Sequence, residues 1–201
     1  MRRLALLLSI LFLAGCFTSG KRGAEKGLAI HDLGMPTSRL VSEERKSPIA
    51  VEVRVPLWMD TLGVNYRLAY ADTSRLREYS QVRWAGAPAR MVQQRLMQQL
   101  GMSNSGQVGA RCLLLVEINE FSQVFLTPDR SKGVLQGRAI WLDRSRRQLA
   151  ELNLEIEKSA YSQDSVGGVR ALQSTVEQLT GDLLNWEKQL LASGKIAACS
   201  G

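Results

Sequence analysis

Histidine is nearly missing from this chain: His31 is the single one in 201 residues. One imidazole excludes most zinc sites and most nucleophile–base pairs before any motif is sought. Long apolar runs are missing too. The longest, Leu4 to Leu13, counts ten residues and is broken once, at Ser9, and a bilayer-spanning helix needs roughly 20. Acidic side chains are the scarcer sign of charge. There are 19 Asp and Glu against 26 Lys and Arg, a net charge of +7. That balance suits an anionic partner, either nucleic acid or a membrane surface. What is present in ordinary amounts is apolar residues at 45% and charged residues at 22%. The length allows one domain with a core, plus a tail.

The apolar run sits where a targeting segment belongs. Met1-Arg2-Arg3 supplies a positive n-region, and Leu4 to Leu13 has the length of a signal-peptide h-region. Leu13-Ala14-Gly15-Cys16 then matches the bacterial lipobox. The match implies a lipid on the Cys16 Sγ and signal cleavage between Gly15 and Cys16. An ordinary secretory signal with a chance cysteine is the weaker account, because n-region, h-region and box agree. Cleavage would remove Arg2 and Arg3 and no acid, leaving 24 basic against 19 acidic residues, or +5. Several acyl chains hold far more firmly than one, whose binding is marginal. Residue 17 is Phe and not Asp, the usual inner-membrane retention signal, so the lipobox resemblance places the anchor in the outer membrane, facing the periplasm of a Gram-negative bacterium. Cys112 and Cys199 remain. In an oxidising compartment they are a candidate disulfide across a long loop; the other reading is a buried Cys112 at a strand start and a free thiol in a frayed tail.

The chain divides into a signal peptide (1–15), a lipidated N-terminus and tether (16–47), an α+β domain (48–193) and a C-terminal tail (194–201). The tether is rich in Gly, Ser, Lys and Glu with no sustained apolar period. One apolar island, Leu28 to Leu33, reads as a short strand docked on the domain. Ile49, Val51, Val53 and Val55 alternate with Glu52 and Arg54 up to Pro56, a half-buried strand. In "VNYRLAY", Val64, Tyr66, Leu68 and Tyr70 point inward and Asn65 and Arg67 outward. "RLREYSQV" pairs with it as a hairpin. Pro88 and Gly101 bracket a helix whose buried stripe is Val92, Leu96 and Leu100, with Gln93, Gln94, Arg95, Gln98 and Gln99 around it. Three long strands follow as an antiparallel meander: "CLLLVEINEFSQVFL", "GVLQGRAIWLD" and "QLAELNLEIEKSA". Val169, Leu172, Val176, Leu179, Leu183, Trp186 and Leu190 then form one seam on a long helix. The expected fold is therefore α+β: an antiparallel sheet, hairpin plus three-strand meander, packed by two helices, the C-terminal one long. The seam is expected against the sheet; a partner-binding helix is the alternative.

No residue set supports catalysis, and no metal site is expected. His31 lacks metal spacing and reads as a solvated or strand-edge residue. "GKRG" at 20–23 lacks the strand–loop–helix context of a phosphate loop. Gly167 and Gly168, before the last helix, shape its entry turn more readily than they bind an anion. Glu151, Glu155 and Glu157 read as a solvated strand face paired to Arg138, not as catalytic carboxylates. The chain is thus read as no enzyme, with no cofactor beyond the lipid on Cys16. Nucleic acid is no partner for a protein facing the periplasm, and the positive charge suits lipid headgroups.

The order of these segments resembles a known family. "VRVPLWMD", "RLAYADTSRLREYSQVRWAGAPARMVQQRLMQQL" and "DSVGGVRALQSTVEQLTGDLLNWEKQL" follow the lipobox in turn. Over roughly residues 28–191 the chain is similar to the auxiliary lipoproteins of ABC-type lipid transporters, the paraquat-inducible protein C-like family. The family often shows an aromatic in a Tyr-x-Leu stretch where this chain has His31-Asp32-Leu33. The resemblance implies a non-catalytic outer-membrane subunit that docks a mammalian-cell-entry (MCE) domain protein in a system moving lipids or other apolar molecules between the two membranes. The alternative is a periplasmic scaffold lipoprotein that activates a cell-wall synthesis machine. Homo-oligomerisation stays open.

Overall fold

A computed structural model describes residues 27–35, 38–41, 48–105 and 109–200. In chain order the elements are β1 (Ala29–His31), β2 (Ile49–Arg54), a 3-10 turn (Leu57–Met59), β3 (Gly63–Leu68), β4 (Leu76–Trp84), α1 (Pro88–Leu100), β5 (Ser103–Asn104), β6 (Cys112–Thr127), β7 (Arg130–Asp143), β8 (Gln148–Ser159), α2 (Ser165–Ala192) and α3 (Ala197–Ser200). All eight strands belong to one sheet.

The strand β6 is its spine. Along one edge β6 pairs antiparallel with β7, and β7 with β8, so the meander stands. The other edge is shared in series. β2 lies beside Cys112 to Glu117, and β3 beside Gln123 to Phe125, both parallel to β6. β4 pairs antiparallel with β3 as the expected hairpin, while β1 adds to β4 and β5 to β2 in parallel. The sheet is therefore mixed, which corrects the antiparallel expectation. Alternation along a strand reports which face is buried, not which way its neighbour runs. A parallel neighbour needs only a crossover, which the hairpin and α1 supply between β2 and β6.

One face of the sheet carries both helices. All seven seam residues of α2 are buried, with Leu172 and Leu179 at 0% exposure, so the seam is core. Against it lie Leu114, Val116 and Ile118 of β6, Leu135, Ala139 and Trp141 of β7, and Leu154 and Ile156 of β8. Gly133 is what lets α2 come close. A Cβ there would collide with the backbone of Ala171 and Leu172. Val92, Leu96 and Leu100 bury the stripe of α1 in the same core, and Gly101 ends that helix in the left-handed conformation, φ 61°. Asp164 caps α2 by accepting from the Gly167 amide at 2.9 Å, and that amide first, then the Ser162 hydroxyl, holds its carboxyl below the ordinary value.

Both ends of the chain depart from the loose segments expected of them. Of the stretch 194–201, Ile196 and Cys199 are buried, and Cys199 is joined to Cys112 by a disulfide, Cα–Cα 5.4 Å, across 87 residues. The candidate disulfide is therefore formed, and the other reading, a free thiol in a frayed tail, is not. Of the stretch 16–47, residues 27–35 and 38–41 lie against the domain. β1 is the expected island strand, and Leu33 behind it is buried in the core. Tyr70 is the other correction. β3 ends at Leu68, and Tyr70, in the turn, is 48% exposed rather than inward.

Candidate interaction surface

The helix-free face of the sheet gathers most of the charged residues singled out from the sequence. Register places Glu117 opposite Arg138, and Arg138 opposite Asn153, beside Glu151. The Arg138 guanidinium donates to Glu117 at 2.6 Å and lies 3.7 Å from Glu151. Glu117 first, by hydrogen bond and charge, favours its protonated form. Lys132 pairs with Glu157 at 2.5 Å, and Arg67 with Glu120 at 2.8 Å. At the β2 end Arg54 pairs with Glu52 at 2.7 Å, with Arg146 of the β7–β8 turn 4.0 Å from the same carboxylate. The Arg138, Lys132 and Arg67 pairs join opposite charges across neighbouring strands, the arrangement that stabilises sheets modestly, while Arg54 and Glu52 pair within β2. Between the ion pairs sit Ala50, Leu113, Leu115, Val134 and Ile140, all buried although they are outside the helix-side core. Asn119 lies in the β6 bulge, where the register shifts between Ile118 and Glu120, and it is exposed. The expected row Glu151, Glu155, Glu157 is thus a solvated, partly paired strand face, and Glu155 also lines a groove with Asp182 and Trp186 of α2.

A second feature had no sequence signal. Arg95, expected on the polar surround of α1, is 4% exposed. Its guanidinium donates to the carbonyls of Leu33, at 2.6 Å, and Gly34. Leu40 donates its amide to the Gln99 carbonyl at 2.9 Å, and Gln173 of α2 donates to the Asp32 carbonyl at 2.8 Å. The buried charge is compensated by backbone oxygens some 60 residues earlier in the chain, a pairing no spacing rule reveals. Together these bonds fix the N-terminal segment across both helices as a strap.

The other singled-out residues disperse. His31 ends β1, half-buried at the sheet margin. Gly167 and Gly168 lie inside the first turn of α2 and not before it as expected; the Gly167 amide is taken by Asp164, and a Cβ would meet Ser162 at Gly167 and Gln123 at Gly168, so both serve close packing. Gln123 itself is buried, accepting from Tyr79 and donating to Ser131, each at 2.7 Å. Burial pushes the Tyr79 hydroxyl's pKa well up. Cys112 and Cys199 are brought together; Gly15, Cys16 and the 20–23 stretch lie outside the described residues. Among the described residues no three His, Cys, Asp or Glu stand as a metal site, and no helix is long and apolar enough to cross a membrane. The 3-10 turn between β2 and β3 is the feature sequence reading passed over. It leaves Leu57 91% and Trp58 52% exposed. The signal was there, since "PLWMD" puts three apolar residues into a connection between strands.

No family model matches the chain, and no curated protein does. Solved structures do. A crystal structure of protein XCC0632 from Xanthomonas campestris, described as DUF330, superposes with a TM-score of 0.70 at 14% identity, covering 85% of this chain and 99% of that one. A crystal structure of an uncharacterized protein superposes with a TM-score of 0.61 at 14% identity, over 78% of this chain and 96% of that one. Likeness at this identity concerns the fold alone.

Proposed function

We propose that this chain is a non-catalytic lipoprotein subunit of an ABC/MCE-type system, anchored in the outer membrane through Cys16 and facing the periplasm. There it docks the MCE-domain protein that conducts lipids or other apolar molecules between the membranes. The observation that carries the reading is the order of segments: n-region, h-region and lipobox ending at Cys16, then one α+β domain. The Cys112–Cys199 disulfide supports export, because such bonds persist in oxidising compartments. The ion-paired face with Glu117, Asn119, Arg138 and Glu151 suits a wet, non-obligate contact. It is rigid, polar and backed by a full core.

Genetics tests the reading. Deleting the gene sensitises the outer membrane to detergent as much as deleting the MCE partner, and the double deletion adds nothing. Additive sensitivity, or a purified protein that captures only wall-synthesis enzymes, replaces this reading with the cell-wall scaffold.

A further inference from the structure

Four of the large apolar side chains left exposed lie around the connection from β2 to β3, which runs beside the middle of β6. β2 and β4 end there and β3 begins. Leu57 is 91% exposed, Trp58 52%, Leu62 45%, and Ile30, in β1, 64%. The exposure is built in. Pro56 closes β2, its carbonyl accepts from the Met59 amide at 2.8 Å, and Met59 is 1% exposed. The turn therefore drives Met59 into the core and holds Leu57 and Trp58 out, so neither can turn inward without withdrawing Met59. Leu62 is fixed too, its carbonyl accepting from the Trp84 amide at 2.8 Å. β1 lies on the other side of β4 and pairs Ile30 with Arg83, placing Ile30 about two strand spacings, roughly 10 Å, from β3. A patch of exposed apolar side chains with a tryptophan marks a contact surface; the question is what covers it.

We propose that this knuckle, Leu57 and Trp58 flanked by Leu62 and Ile30, rests in the headgroup region of the lipid surface to which Cys16 is anchored. The inference rests on the anchoring reading above. The chain itself indicates the occupant. The segment bearing Cys16 enters the domain through β1, the strand that contributes Ile30. Cys16 lies 14 residues before Ile30, so an acyl anchor holds this end of the domain within at most about 50 Å of the bilayer. Tryptophan with an apolar body and one N–H suits the bilayer interface. The exposed Arg83 and Arg90 and the basic Lys21, Arg22 and Lys26 suit anionic headgroups, while the exposed acids here, Asp32, Asp60 and the Glu78 that packs against Gly63, keep the electrostatic attraction modest. Insertion is shallow, because it involves a turn and not a helix.

The test uses the full lipidated protein with Leu57→Cys. Cys16 carries lipid and Cys112 is joined to Cys199, so a nitroxide attaches to one thiol only. In vesicles of phosphatidylethanolamine and phosphatidylglycerol, collisions with oxygen rise and collisions with a water-soluble nickel chelate fall, relative to a label at the exposed Glu177 (Glu177→Cys). A label that stays as accessible to nickel as the Glu177 label overturns the proposal. A label shielded from both colliders overturns it as well, because a protein and not lipid then covers the turn. Mass spectrometry of the same sample reads the acyl groups on Cys16 separately. If Cys16 is unmodified the anchoring reading fails, and the knuckle is judged by the same two colliders in a Cys16→Ser background.

Discussion

The two faces of the same strands differ sharply. On β7, Leu135, Ala139 and Trp141 are all at 0% exposure against α2, while Gln136 and Arg138, one residue along, are exposed among ion pairs. The helix face holds the molecule together by apolar burial, which is roughly proportional to area removed from water. On the open face the buried Leu113, Leu115, Val134 and Ile140 add to that burial, but the ion pairs between them contribute little, because pairs between exposed partners are worth about 0–1 kcal/mol each. Charged positions of so little weight are free to evolve toward a partner without unfolding the domain.

Three changes sharpen this comparison. The largest effect is expected from opening the disulfide, which lies on the helix side. In the chain-entropy model a cross-link over a loop of this length contributes about 4 kcal/mol. Reduction, or Cys112→Ser with Cys199→Ser, lowers the melting temperature strongly; an unchanged melt means α3 contributes nothing to the fold. Next comes Leu179→Ala, which empties the middle of the seam at a cost of about 2–5 kcal/mol. At roughly 2–4 °C per kcal/mol for a domain of this size, the loss is plain in a thermal melt, while Gln178→Ala on the flank moves it little. Equal small shifts would return the seam to the partner-helix reading. The smallest effect is expected from Arg138→Ala on the open face, because exposed ion pairs add little to stability. If it destabilises the protein as much as Leu179→Ala, the division between the faces is wrong.

Burial was more legible than direction. The 3–4 spacing of α2 names seven residues that are all buried, though not Ala171, Thr175, Thr180 or Glu187, which are buried beside them; in β3 the alternation succeeds at Val64 and fails at Asn65, expected outward and 8% exposed. Both patterns are local, set by how side chains leave a strand or a helix. Strand pairing is not local. Nothing in "IAVEVRVP" says that it runs parallel to a strand more than 60 residues later. The same limit hid Arg95, whose partners are backbone carbonyls and so carry no residue signature. Of the open face, the Arg138–Glu151 pairing was legible because both residues alternate outward on adjacent meander strands. Trp58 was passed over because a three-residue apolar stretch in a connection shows no periodicity from which a face can be read.

The strap has a mechanical consequence. β1 runs parallel to β4, so a pull on the chain before Ala29, along the strand axis, slides β1 against β4 instead of peeling it away. Its hydrogen bonds then bear the load together and not one after another. Behind them the buried Leu33 and the Arg95 grip on Leu33 and Gly34 act as a second stop in series. The Cys112–Cys199 bond ties α3 to β6 and is no part of the strap. A load on the segment before Ala29 therefore reaches the core through Leu33 and α1, and not through the disulfide.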